Sequence, residues 1–190
     1  MNFSLSKIVI VSLVAGLLIA PATTKAQENM EINAPTPTPA FIKYDLAFPG
    51  ILPDHPLYKL KVLRNKLSAA LISDPVKKIE FYLLQTDKGI LAAAMLVDKG
   101  KIDLAIETAL KAEHNFTMIS QEIKFTQKVI SDSRMELLEK AALKHQEVLL
   151  SLSKRVPKDK QKAFLTVADF SKRNIQAIKD YQEEILSDKY

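Results

Sequence analysis

From about residue 56 to residue 187, apolar side chains recur every three or four positions. The pattern breaks only at Ser73-Asp74-Pro75, Lys99-Gly100-Lys101, Ser131-Asp132-Ser133 and Pro157. A period near 3.6 gathers apolar residues on one face of a helix, and breaks this short join helices that run back along one another. The chain is therefore expected to be all-α. It reads as a bundle of about five antiparallel amphipathic helices, over residues 56–72, 75–99, 102–130, 133–156 and 158–187, each packed on the next. No period-two stretch competes with this reading.

The breaks carry their own chemistry. Leu57, Leu60, Leu63 or Arg64, Leu67 and Leu71 mark the apolar face of the first helix, with Pro56 in its first turn and Asp54 or His55 as cap. Asp74 caps the second helix and Pro75 takes its first position. Gly89 to Val97 carries no charge, so this half of the helix is expected to be enclosed on most sides. Gly100 suits the left-handed position after a helix. Ser133 and Glu136 have the spacing of a capping box at the start of the fourth helix, and Pro157 separates the fourth from the fifth.

Composition narrows the function classes. The 190 residues suit one domain plus appendages, and 47% of them are hydrophobic. Cysteine is absent, which removes disulfides, thiolate metal sites, thiol catalysis and a lipid-bearing cysteine. The formal net charge is +5, and setting aside Lys7 and Lys25 leaves 25 basic against 22 acidic residues. So small an excess does not point to nucleic acid.

The N-terminus has the three-part layout of a secretory signal peptide over residues 1–26. A short lysine-bearing start leads into the uncharged run Ile8–Ala20, and small residues follow at Ala20-Pro21-Ala22 and Thr24-Lys25-Ala26. The run is shorter than the roughly 20 residues a spanning helix needs. Cleaved or kept as an anchor, it implies an extracytoplasmic protein. Residues 27–40 hold the Pro-alternating tract Pro35-Thr36-Pro37-Thr38-Pro39, which reads as a spacer able to span about 40 Å or as a disordered terminus. The helical domain then occupies 41–190, with a proline-rich lead-in over 41–55.

That lead-in is unusually apolar for a linker. Tyr44, Leu46, Phe48, Ile51 and Leu52 are expected to seal one end of the bundle, or else to face a partner. The run Tyr44-Asp45-Leu46-Ala47-Phe48-Pro49-Gly50-Ile51-Leu52-Pro53-Asp54-His55-Pro56-Leu57-Tyr58 resembles the start of the family called domain of unknown function 5667, bacterial and archaeal extracytoplasmic helical proteins. Asp74-Pro75-Val76-Lys77-Lys78 and the Gly100 hairpin continue the resemblance, which fades in the last two helices. Ala47 departs from it, standing where a second proline is expected. The resemblance implies the fold and the compartment, and brings no reaction, ligand or catalytic residue. Separately, Leu96–Leu110 resembles one tetratricopeptide hairpin, but no period near 34 residues extends it into an array.

Chemistry is harder to find. The histidines are His55, His114 and His145. His55 stands in the proline-rich turn. His114 and His145 lie on different helices and could face each other, but neither has a glutamate three residues before it, as a di-iron bundle requires. No His-Glu-x-x-His, Gly-x-Ser-x-Gly or glycine-rich phosphate loop occurs. No catalytic residue, cofactor, metal or small-molecule substrate is therefore expected. The turn Lys154-Arg155-Val156-Pro157-Lys158-Asp159-Lys160-Gln161-Lys162 holds five basic residues against one acid. Lys154, Arg155, Lys158, Lys160 and Lys162 are candidate contacts to an anionic membrane or wall polymer, weighed against a merely solvated turn. The leading expectation is a non-catalytic interaction module that binds another envelope protein.

Overall fold

The structure, a computed structural model, describes residues 42–127 and 129–188. The expected signal peptide and spacer lie outside the described residues. Five helices follow the lead-in: α1 (Tyr58–Leu71), α2 (Pro75–Asp98), α3 (Ile102–Thr126), α4 (Asp132–Arg155) and α5 (Lys158–Ser187). No strand occurs among the described residues, so the protein is all-α. Among them, no helix is long and apolar enough to cross a membrane.

Several helix ends differ from the expected ones for identifiable reasons. Asp74 caps α2 as expected, its Oδ1 accepting from the Val76 N–H at 2.8 Å with Pro75 in the first turn. Gly100 ends the α2–α3 turn at φ 72°. α1, however, starts at Tyr58 rather than Pro56, and no side chain caps it. His55 Nδ1 accepts from the Leu57 N–H at 3.1 Å, while Asp54 reaches away to Lys101 (2.9 Å) and Lys99 (3.1 Å) in the α2–α3 turn. α3 stops at Thr126 because Gln127 takes a left-handed conformation. The capping box does not form either. Ser133 Oγ lies 3.1 Å from Ser131 Oγ, and Glu136 pairs with Lys140 one turn on.

The packing order also departs from simple succession. α2 and α3 form one hairpin, α4 and α5 a second, and the hairpins stack side by side, α2 on α4 and α3 on α5. The cross-links show that both pairs run parallel and in register. Arg134–Glu80 joins the starts of α4 and α2, and Arg155–Asp98 joins their ends. Lys160–Asp103 joins the starts of α5 and α3, and Thr117–Asn174 links their middles. The side-chain partners that join these helix pairs are separated by 54 to 61 residues. α3 and α4, although consecutive, thus stand on opposite corners of the four-helix square. The loop between them is tied down by Gln182 Oε1, which accepts from the Ile130 N–H at 3.0 Å.

Small residues set the close approach within the first hairpin. Ala105 and Ala109 are completely buried, and a Cβ placed on Gly89 would lie 2.5 Å from that of Ala112. The apolar interior falls into two clusters. One gathers Ile90, Leu96, Ala109, Leu149, Leu152 and Phe164. The other gathers Ile79, Phe116, Ile119, Ile123, Leu138 and Ile178. Each of the leucines, isoleucines and phenylalanines among them contributes roughly 1.5–3 kcal/mol on burial.

α1 does not join this square. It buries none of its residues. The helical face expected to pack inward, Leu60, Leu63, Leu67 and Leu71, is 55–81% exposed. The lead-in is likewise only half engaged. Tyr44, Leu46, Pro49 and Leu52 turn toward the bundle, whereas Phe48 and Ile51 are exposed. The expectation that all five apolar lead-in residues seal the end is therefore corrected.

Candidate functional site

Between the two apolar clusters lies a polar layer to which all four bundle helices contribute. On α2 it is Asp87, four residues after Leu83 and three before Ile90, in phase with the apolar stripe. Glu113 of α3 sits between Ala112 and Phe116, and His145 of α4 between Ala142 and Leu149. Asn174 of α5 completes it. All four side chains are buried, His145 completely. His145 Nε2 stands 2.8 Å from Asp87 Oδ1. Its Nδ1 faces Glu113 Oε1 at 3.4 Å, an ion-pair contact without hydrogen-bond geometry. Asn174 Nδ2 donates to the Glu113 backbone carbonyl (3.1 Å) and to its Oε2 (3.3 Å). From the lead-in, the Tyr44 hydroxyl donates to Asp87 Oδ2 at 2.7 Å. The Phe116 ring meets the imidazole edge-on.

The electrostatics follow from this placement. Burial alone would drive the proton off His145, but Asp87 and Glu113 on either side outweigh it and raise its pKa to about 9. The ring is then an imidazolium held between two carboxylates. Burial, reinforced by the negative charge of Asp87, pushes the Tyr44 hydroxyl far above its ordinary value and keeps it a donor. The two ring nitrogens face different carboxylates, so the three groups surround the proton-bearing ring and do not converge on a common point where a metal could sit. The imidazole has no exposed surface. This chemistry holds the helices in register.

His145 therefore does not face His114, which is exposed on the wall of a groove beneath α1. That groove has a volume of about 580 Å³ and is walled by Tyr58, Phe81, Tyr82, Lys66 and Lys88 among others, with no carboxylate. Asn65 Nδ2 of α1 donates across it to Gln85 Oε1 at 2.6 Å. Lys61 of α1 donates back to the carbonyls of Pro49 (2.6 Å) and Ile51 (3.0 Å). Burial, with the nearby positive charges of Lys88 and Arg64, lowers the Lys61 pKa. These bonds fix how α1 is rolled. Tyr58, Lys61, Val62, Asn65, Ser68 and Ala69 form its half-buried inner side, and the leucines form its outer side.

The basic turn is partly committed within the fold. Arg155 pairs with Asp98, and Lys160 pairs with Asp103 at 2.6 Å. Lys154, Lys158 and Lys162 are exposed. Of the lead-in motif residues, Pro49 and Leu52 are buried, and Gly50 takes φ 67°, a conformation that favours glycine. Asp54 staples the lead-in to the α2–α3 turn, and Lys101 and Lys99 hold its carboxyl below the usual range. Pro53 is half-buried, while Asp45, Ile51, Pro56 and Leu57 are exposed.

A family model described as Domain of unknown function (DUF5667) matches residues 50–159. The match runs from Gly50 through α1, both helices of the first hairpin and all of α4. No curated protein and no solved structure matches the chain.

Proposed function

The chain belongs to the family described as Domain of unknown function (DUF5667), and from that premise we propose that it is an extracytoplasmic helical interaction module without catalytic activity, docking through the outer face of α1. The observation that carries this reading is the roll of α1. Its inner side is bonded to the lead-in and to α2, while Leu60, Leu63, Leu67 and Leu71 turn to solvent. Other apolar side chains are exposed too, Phe48 and Phe125 among them, but these four lie together on one face of one helix, and a contiguous apolar face of this kind marks an interaction site. Covering those leucines would contribute up to roughly 1.5–3 kcal/mol each. The sealed polar layer supports the non-catalytic half of the reading, and the apolar run Ile8–Ala20 supports the compartment.

The basic turn carries the reading less well, since Arg155 and Lys160 are engaged with Asp98 and Asp103. A photo-crosslinking residue at position 63 should capture envelope material in cells, while the same residue at Leu165 on α5 should not. Replacing Leu60, Leu63, Leu67 and Leu71 with serine should abolish capture from a probe at Lys59 and cost no more than about 2 kcal/mol of stability in sum, because the leucines are already largely exposed. Capture that is equal at positions 63 and 165 would refute the assignment of α1.

A further inference from the structure

We propose that α1 is a docking element for an anionic phospholipid surface, lying along the headgroups with its outer leucines inserted and its flanking cations on the phosphates. The proposal rests on the reading of the α1 outer face as the contact surface and names what that face contacts. Three observations carry it.

The first is the wheel of α1. Leu60, Leu63, Leu67 and Leu71 occupy the side opposite Tyr58, Val62, Asn65 and Ala69, so the leucines face outward when the inner side rests on the bundle. Lys59 and Lys66 fall on one margin of the leucine stripe and Arg64 on the other, all three exposed. Long basic side chains at the margins of an apolar stripe can reach a polar plane while the stripe sinks below it.

The second is charge. Tyr58–Leu71 contains four cations and no carboxylate, and one cation, Lys61, is turned inward onto backbone carbonyls. The groove wall beside α1 adds Lys88 and again no carboxylate. The positive margin is thus unneutralised by its own helix and by that wall; the carboxylates that share an adjoining cleft with Lys59, those of Asp54 and Glu107, are paired with Lys99, Lys101 and Lys111.

The third separates the occupants. Two copies of α1 pressed face to face would bring Lys59, Arg64 and Lys66 of each against those of the other, with no acidic residue on either helix to offset them. Like charges across an interface disfavour that pairing. An anionic headgroup plane offers phosphate along the whole helix and acyl chains beneath it, which matches both the stripe and its margins.

The chain lacks cysteine, so a single Leu67→Cys can carry an environment-sensitive fluorophore in the full-length protein. Its emission should shift to the blue and brighten on vesicles of phosphatidylglycerol and phosphatidylcholine, and should stay unchanged on phosphatidylcholine alone. The same label at Ser151→Cys on α4, exposed and away from α1, should not respond even if the N-terminal apolar run holds the protein on the vesicle. Lys59→Gln, Arg64→Gln and Lys66→Gln together should weaken the position-67 response on the order of 100-fold in lipid concentration, and added salt should do the same. The circular-dichroism spectrum and melting curve confirm that each labelled protein is folded. No response at position 67 on anionic vesicles overturns the lipid proposal. In that event, capture of an envelope protein from position 63, or lipid-independent self-association in sedimentation, leaves the α1 contact face standing with a different occupant. Failure of capture as well removes both readings.

Discussion

His145 shows how far the meaning of one side chain depends on its neighbours. Alone in a helical stripe it is a polar interruption. Between Asp87 and Glu113 it becomes a buried cation whose pKa lies at about 9, above the roughly 6.5 of an unfolded histidine. A raised folded-state pKa stabilises the protein below the unfolded value, and that contribution is lost as pH rises through the folded one. Thermal melts should therefore show a falling midpoint between pH 6.5 and pH 9.5. In His145→Gln this slope should vanish, and an unchanged slope would locate the titration elsewhere. Replacing His145 with leucine at neutral pH should cost about 3–5 kcal/mol, because two buried carboxylates lose their counter-charge. Urea unfolding at pH 7 would measure the loss.

Within the helices, the decisive contrast is between α2 and α1. Gly89 is a poor helix former, and substitution by alanine would ordinarily add about 1 kcal/mol to helix stability. Here the new Cβ would meet the Ala112 Cβ at 2.5 Å, and neither side chain has a flexible end that could move aside. Gly89→Ala should therefore destabilise by about 1–3 kcal/mol, as the α2–α3 hairpin is forced apart. A melting midpoint at or above that of the parent would mean that the hairpin is looser than this distance implies. α1 behaves in the opposite way. Its leucines have good helical spacing and contribute little to the bundle, because Lys61 and Asn65 hold the other side of the helix inward.

The whole molecule is two parallel-stacked hairpins clamped at the waist by one polar layer and at the ends by ion pairs. Asp87 and Glu113 belong to the first hairpin, His145 and Asn174 to the second. Neither hairpin can satisfy these buried groups alone, and each would expose half of both apolar clusters. A chain ending at residue 127 should accordingly lack a cooperative thermal transition by circular dichroism. A sharp melt of that fragment would mean that the first hairpin is an independent unit. The lead-in belongs to the same cooperative whole, since Tyr44 reaches Asp87 and Asp54 reaches Lys99 and Lys101.

Apolar periodicity and turn chemistry are local properties, and they alone determined the all-α class, the number of helices, the Asp74-Pro75 start of α2, the Gly100 turn and the family resemblance carried by the lead-in. Those features depend on residues within a turn or two of one another. Other features depended on contacts between residues 10 to 61 positions apart. The pairing of α2 with α4 and α3 with α5 follows from partners 54 to 61 positions apart, and no local period encodes that separation. The assembly of Asp87, Glu113 and His145 was foreshadowed only by charged residues standing in phase with apolar stripes. The outward roll of α1 was not foreshadowed at all. A leucine stripe has the same spacing whether it faces a core or a surface, and the hydrogen bonds of Lys61 and Asn65 to partners 10 to 20 residues away set which way it turns.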